Sequence, residues 1–300
     1  MTVLVLGATG FIGPHVVRAL QAAGREVVAA SRGLGVDRRD AASVRALVRE
    51  RRVTQVVDLL AYAEADTLPL LDALDGEVER WVMASSCDVY RNYEGLHRKA
   101  APDLIPLLTE DAPLRTTRYP YRANRPADAD DAWLDAYDKI PLEAAVRARP
   151  GHVILRLPMV FGPGDRQRRF RWLLKPMLAG AERLSVDPAW AAWRTSYGYV
   201  EDVADALATA VLHPAASGRT FNLGLPEAPD HRAWIDRFAT VLGWSGAVVE
   251  APAPPDGPLA ALDLSYPVVI DTGAFRTACG WREVTPLDTA LMRTAEAERG

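Results

Sequence analysis

Apolar positions change period several times along the first third of the chain. Val3-Leu4-Val5-Leu6 is an unbroken apolar run, the pattern of a short strand buried on both faces. Ile12, Val16, Val17 and Leu20 then recur at helical spacing until Gly24, which reads as the C-terminal cap. Glu26–Ala30 is the next strand and residues 41–51 the next helix. Residues 53–61 (VTQVVDLLA) read as a fourth strand and residues 79–85 (ERWVMAS) as a fifth. Strands alternating with helices at this spacing predict an α/β fold with a doubly wound parallel sheet. Ligands of such sheets lie beyond the carboxyl ends of the strands, which places Leu60, Ala61, Tyr62, Ser85 and Ser86 beside a ligand.

The string GATGFIG lies between the first strand and the first helix, and that context gives its glycines a mechanism. Gly7 allows the tight turn, Gly10 lets the backbone approach a pyrophosphate, and Gly13 lets the helix pack on the strand. The turn residues Thr9, Phe11 and Ile12 then lead into a helix N-terminus that faces phosphate charge. A dinucleotide is the predicted ligand. The second strand ends in Ser31-Arg32, with no acidic residue to hold ribose hydroxyls. A hydroxyl and a guanidinium suit a 2′-phosphate, which favours NADP(H) over NAD(H). Asp37 is placed either on the adenine amine or, more blandly, at the cap of the following helix.

Composition narrows the class. The 300 residues carry 35 Lys+Arg against 39 Asp+Glu, a net charge of −4, which offers no electrostatic footprint for nucleic acid. No apolar run approaches the ~18–20 residues of a membrane span, and the first residues enter a strand pattern with no basic region or cleavage site. Cys87 and Cys279 are too far apart for a disulfide framework or a zinc site, as expected of reduced thiols in a cytoplasm. The five histidines have no ligand spacing, so no catalytic metal is expected.

These strings together resemble the extended short-chain dehydrogenase/reductases, the NAD(P)-dependent epimerase/dehydratase family, over nearly the whole chain. GATGFIG matches the family's GxxGxxG, SSCDVY (residues 85–90) its SSxxVY, and RLPMVFGPGD (156–165) its strand-six segment. YVEDVADAL (199–207), FNLG (221–224) and CGW (279–281) match later landmarks. The resemblance implies a Rossmann-type NADP-binding domain in residues 1–161, rejoined by about 195–223. It implies a smaller C-terminal α/β substrate lobe in 162–194 and 224–300. It also implies an active-site hydroxyl at Ser86 and coenzyme contacts from Ser85, Pro158 and Met159. A homodimer is compatible with it.

The family's catalytic pair is Tyr-xxx-Lys on one helix, where the lysine holds the ribose and lowers the tyrosine pKa. Here the segment reads WLDAYDKIPLEAAV. Lys139 aligns with the family lysine, but Asp135 stands four residues earlier, and Tyr137 is only two away, roughly 200° round an ideal helix. Three readings follow. Tyr137 enters the site through a local distortion, aided by Pro141. Alternatively Tyr137 is packing, and Ser86, a water or the substrate supplies the proton. In the third, Asp135 does the acid–base work. The helical spacing favours the second. Met159 stands where many sugar-nucleotide members carry asparagine, which counts against a nucleotide-sugar substrate.

Residues 91–131 form an insertion rich in proline and mixed charge, read as a lid over the substrate. Arg115, Arg118, Tyr119, Tyr121, Arg122 and Arg125 are its candidate contacts. The basic run Arg166, Arg168, Arg169 and Arg171 suits an anion or is a solvated face, and Trp190 and Trp193 either meet a flat ligand or pack the lobe. The expected activity is an NADPH-dependent ketoreductase acting on a small, hydrophobic or aromatic metabolite, as polyketide ketoreductases of antibiotic biosynthesis do. The alternatives are a nucleotide-sugar epimerase/dehydratase using Tyr137 and bound NAD, and a non-catalytic NADP(H) sensor.

Overall fold

The computed structural model describes residues 1–122, 132–254 and 258–299. Its strands are β1 (Thr2–Leu6), β2 (Glu26–Ala30), β3 (Val53–Asp58), β4 (Arg80–Ser86), β5 (His152–Leu157), β6 (Met159–Phe161), β7 (Arg183–Val186), β8 (Tyr197–Tyr199), β9 (Arg219–Asn222) and β10 (Ala247–Glu250). The helices are α1 (Gly13–Ala22), α2 (Ala41–Glu50), α3 (Glu64–Ala73), α4 (Asn92–Leu96), α5 (Lys139–Arg147), α6 (Arg171–Leu178), α7 (Pro188–Ala192), α8 (Val200–Leu212), α9 (His231–Leu242), α10 (Gly273–Cys279) and α11 (Leu287–Glu298). Six parallel strands form the main sheet in the order β2-β1-β3-β4-β5-β9. Two short parallel pairs, β6 with β8 and β7 with β10, form separate two-stranded sheets.

The predicted parallel α/β sheet is present, with a different strand count. No strand lies between β2 and α2. Residues 31–40 (SRGLGVDRRD) have no apolar alternation and close instead in a 3₁₀ turn, Arg32–Leu34, stopped by Gly35 at φ +79°. Residues 53–58 are therefore the third strand rather than the fourth, and residues 80–86 the fourth rather than the fifth. The strand-six segment contributes the end of the fifth strand, then β6. β3 ends at Asp58 because the Asp58 side chain captures the Leu60 N–H at 2.9 Å and turns the chain.

Apolar side chains cover both faces. On one face α1 and α8 pack on the sheet, and their core runs without interruption into α6, α9 and α11 through Phe170, Trp234 and Leu291. On the other face α2, α3 and α5 bury Val44, Leu70 and Leu142. The segment 197–222 returns to the main sheet, with α8 against α1 and β9 at the sheet edge.

The described part of the insertion is packed. Residues 91–122 hold a small core of their own, where Leu96 and Leu108 meet Val268 and Ile270. The buried Asn92 amide donates to the carbonyls of Ile105 (2.7 Å) and Pro267 (2.8 Å), and Leu108 bridges Ile270. Enough apolar side chains occur between the prolines to anchor the segment to the C-terminal lobe. Residues 123–131, including Arg125, lie outside the described residues.

At Gly13, a Cβ would stand 2.2 Å from the Gly7 carbonyl oxygen and 2.6 Å from the Ala8 carbonyl carbon, so α1 can sit on the β1 turn only without one. Gly13→Ala is expected to cost roughly 1–3 kcal/mol, the range for forced overpacking. Urea denaturation of the purified variant measures it, and an unchanged midpoint would contradict this account of the turn.

Candidate active site

Local backbone geometry shapes the glycine turn into a phosphate cradle. Gly7 adopts φ +90°, a conformation in which side chains are strained, and Gly10 N–H closes the turn on the Gly7 carbonyl at 3.0 Å. Among the described residues the N–H groups of Phe11 and Ile12 donate to no carbonyl. They are free donors at the start of α1, where a helix N-terminus favours anions. Thr9 and Gly10 are exposed, while Phe11 lies 3.7 Å from where a Gly164 Cβ would stand, across the mouth of the turn.

The end of β2 adds a polar socket. Ser31 is buried and its Oγ has no partner, while Arg32 is exposed beside it. This orphaned hydroxyl, with the cradle a Cβ would fill, fits a dinucleotide. Asp37 does not cap α2. Its carboxylate is held by Arg39 at 2.8 Å, which keeps its pKa down at about 2, and Asp40 is the cap, accepting the Ser43 N–H at 3.0 Å. Asp40 wins because it directly precedes the helix. Arg38 turns inward to the Asp58 carboxylate at 2.6 Å, an ion pair behind Leu60.

Strand alternation sends Ser85 and Ser86 to opposite faces. Ser85 Oγ donates to Glu143 at 2.6 Å, and Arg156 forks onto the same carboxylate at 3.0 and 2.8 Å. Ser85 therefore belongs to the sheet's internal polar network rather than to the coenzyme contacts expected of it. Ser86 Oγ accepts the Asp88 N–H at 3.2 Å, which leaves its own hydrogen to donate. Pro158 packs toward Gly198 and Gly224, and Met159 pairs with the β8 strand.

Tyr137 and Lys139 do not share a helix. α5 begins at Lys139, with Asp138 as its N-cap, and residues 132–136 form a 3₁₀ turn. Asp138 explains the boundary: its carboxylate accepts the Ile140 N–H and is fixed by Arg115 at 2.6 Å and Arg118 at 2.5 Å. Tyr137, released from the 3.6-residue period, turns inward. It is buried, its hydroxyl neighbours Ser86, and its ring lies 5.6 Å from Lys139 Nζ. Asp135 stays on the 3₁₀ turn, where its backbone carbonyl accepts from Arg122 Nε at 3.0 Å.

Lys139 is 3% exposed, and Nζ donates to the carbonyls of Ala61 (2.7 Å) and Ala84 (2.9 Å), at the carboxyl ends of the two central strands. Burial, opposed by the Asp88 and Asp58 carboxylates, lowers its pKa to about 8.

Sequence reasoning missed Asp88. Its Oδ2 accepts from Tyr137 at 2.8 Å and Tyr121 at 3.0 Å, and the Tyr121 hydroxyl meets that of Tyr93 at 2.8 Å. Burial raises the Asp88 carboxyl and pushes the Tyr137 and Tyr121 hydroxyls well above the usual phenol range. The signal was present in SSCDVY, a carboxylate between apolar residues directly after an active-site strand. Tyr62 and Trp133 close this aromatic wall, with ring centroids 4.8 Å apart.

Other expectations resolve into packing. Trp193 is buried, stacks on Trp190 at 5.2 Å and donates to the Tyr266 carbonyl at 2.9 Å, so it fills the lobe rather than meeting a ligand. Arg168 and Arg171 reach Glu298, and Arg169 bonds Asp165 at 2.7 Å, which makes most of the basic run structural. Arg166 is exposed at the same loop. Arg122 lies over the Tyr119 ring at 3.9 Å.

Lys139 gives a test with a definite sign. Its folded pKa of about 8 lies below the ordinary 10.5, so between these values the unfolded chain holds more protons and stability rises with pH. The window is worth roughly 3 kcal/mol at most, from about 1.4 kcal/mol per pH unit. Denaturant unfolding at pH 8 and 10 should show the rise in the wild type and its absence in Lys139→Met. Equal pH dependence in both would contradict the buried ammonium.

Comparisons with known proteins agree with this geometry. No described helix is long and apolar enough to cross a membrane, and no group of metal-ligating side chains occurs among the described residues. No curated protein matches the chain. Among solved structures, the UDP-glucose 4-epimerase of Thermus thermophilus, crystallised with NAD, is 26% identical with a TM-score of 0.67, over 100% of this chain and 99% of that one. A putative epimerase from Burkholderia cenocepacia J2315 is 24% identical with a TM-score of 0.72, over 99% and 98%. The UDP-glucose 4-epimerase of Thermotoga maritima, with UDP-glucose, is 18% identical with a TM-score of 0.69, over 100% and 99%. The family model for the NAD dependent epimerase/dehydratase family matches residues 3–224, which include the glycine turn, Ser86, Tyr137 and Lys139. The chain belongs to that family.

Proposed function

We propose that this protein is an NADP(H)-dependent oxidoreductase that interconverts a ketone and a secondary alcohol on a small, largely apolar substrate. The observation that carries the reading is the convergence of Tyr137, Ser86 and Lys139 at the carboxyl ends of β3 and β4. When bound, the coenzyme supplies or accepts the hydride. The residues of the chain handle the oxygen. The Ser86 hydroxyl donates to the carbonyl oxygen and stabilises the charge that develops on it. Tyr137, kept protonated by burial, delivers the proton that completes the alcohol. Lys139 places a positive charge beside Tyr137 and fixes the strand ends that frame the ring site.

Two features support NADP(H). The Ser31 hydroxyl is unpartnered, and Arg32 stands exposed beside it at the end of β2. The aromatic wall of Tyr62, Trp133, Tyr121 and Tyr137 supports a flat or apolar substrate, such as a polyketide-like ketone. The epimerase reading keeps one specific support, the presence of Tyr137 in the site. Tightly retained, oxidised NAD in the purified protein would favour it.

Reduction of a panel of cyclic and aromatic ketones, followed by NADPH consumption, tests the activity. Tyr137→Phe should lower kcat by about 100-fold or more with the fold intact, the usual scale for losing a general acid. Turnover within a few-fold of wild type would place the proton donor elsewhere. Arg32→Ala should weaken NADPH binding by about tenfold or more, the scale of a lost charge-assisted hydrogen bond, and leave NADH binding unchanged. Calorimetry reads both affinities, and equal losses for the two coenzymes would remove the case for a 2′-phosphate contact.

A further inference from the structure

Asp88 has no task in the scheme above, yet its position is unusual. It is 2% exposed, and its Oδ1 is buried with no partner among the described residues. A carboxylate at that depth ordinarily needs a direct cation. The neighbouring cations direct their donors elsewhere. Arg115 gives Nε to the Asp88 backbone carbonyl at 3.0 Å and Nη2 to Asp138, while Lys139 Nζ is bonded to the Ala61 and Ala84 carbonyls. Instead, two phenols point at one oxygen, Oδ2: Tyr137 at 2.8 Å and Tyr121 at 3.0 Å.

We propose that Asp88 is the proton store behind Tyr137. In alcohol oxidation, Tyr137 Oη takes the substrate hydroxyl proton while its own phenolic proton passes to Asp88 Oδ2. The substrate O–H and Tyr137 O–H bonds break, and a new Tyr137 O–H and an Asp88 O–H form. The electron pair of the substrate C–H bond leaves separately as hydride. In ketone reduction the same protons run back. This rests on the oxidoreductase reading, with Tyr137 at the reacting oxygen.

The relay removes a difficulty in that reading. Burial holds the Tyr137 hydroxyl well above the usual phenol range, so a free phenolate is a poor intermediate. With Asp88 behind it, Tyr137 gains one proton as it loses another and stays neutral. Burial also raises the Asp88 carboxyl, which makes it a better acceptor. The groups facing Asp88 are Tyr137, Tyr121, Arg115 and Lys139. The Tyr93 hydroxyl and the Cys87 thiol, itself pushed up to about 12 by burial, stand behind them. The Tyr121–Tyr93 contact continues the hydrogen-bonded chain away from the reacting centre.

Asp88→Asn and Asp88→Glu test the relay, because Asn accepts a hydrogen bond but holds no proton. Asp88→Asn should lower kcat about 100-fold or more with KM little changed, and Asp88→Glu should restore part of it. In alcohol oxidation the wild type should show a rising acidic limb that Asp88→Asn lacks. Tyr121→Phe removes one donor to the carboxylate and should move that limb to higher pH by roughly half a unit or more. An acidic limb retained in Asp88→Asn, or unmoved in Tyr121→Phe, overturns the proposal. A readout without coenzyme or substrate separates this failure from that of the oxidoreductase reading. In the apo protein labelled with ¹³C-tyrosine, removing the carboxylate charge should make Tyr137 titrate at lower pH in Asp88→Asn than in wild type. A Tyr137 titration unaffected by the substitution sinks the relay even if ketones are reduced. If no ketone is turned over but the coupling is present, the oxidoreductase reading fails and the Tyr137–Asp88 pair stands. Should Asp88→Asn not fold, the Tyr121→Phe limb shift decides alone.

Discussion

The burial of charge at the carboxyl end of the sheet is the constraint on which the rest of the structure depends. Lys139, Glu143, Arg156, Asp88, Arg115 and Asp138 are all nearly inaccessible. An unmatched charge at such depth costs several kcal/mol, so each must meet a partner or shift its protonation. Arg156 and Glu143 match as a fork, Arg115 and Asp138 as a direct pair, and Lys139 by two strand carbonyls. Among the described residues the Asp88 carboxylate accepts hydrogen bonds from Tyr121 and Tyr137, with the Arg115 and Lys139 cations near but bonded elsewhere, and that imbalance concentrates titratable chemistry at one spot.

These contacts also tie the insertion to the site. Arg115 comes from the insertion, yet it fixes Asp138, which caps α5 and sets where Lys139 begins. Glu94, in α4, accepts the N–H groups of Thr116 and Thr117, bracing the strand of insertion that carries Arg115. A segment with the composition of a loop thereby positions α5. Removing one partner of the Arg115–Asp138 pair leaves the other charge buried, a loss of about 3–5 kcal/mol by analogy with other buried pairs. Because the pair borders the site, that loss would reach the chemistry as well as the fold.

The coenzyme end works by a different physics. There the backbone acts, through free N–H groups of Phe11 and Ile12 and the contact that only Gly13 permits. Side-chain choice enters at the end of β2, where Ser31 is buried without a partner and Arg32 is exposed. The two ends of the site are joined by β1, β3 and β4, and Leu60 contacts both the Gly7 turn and, through its N–H, Asp58.

The sequence alone determined what depends on local pattern. Apolar runs and helical periods set the parallel sheet, and the glycine spacing set the turn, because a missing Cβ has the same consequence in any context. The motifs that pointed to Ser86 and Lys139 bring the two side chains together around Tyr137. Tertiary structure decided what depends on partners distant in the chain. Tyr137 looked misplaced because helical periodicity was extended through Asp138, whereas Arg115 and Arg118, some twenty residues earlier, make Asp138 a cap and end that period. The Ser85 side chain was claimed by Glu143, and the Trp193 ring by Trp190 and Tyr266. Asp88 acquires its character only when Tyr121, Tyr137 and the surrounding core exclude water from it, and burial of that kind is a property of the folded assembly that no local stretch of sequence contains.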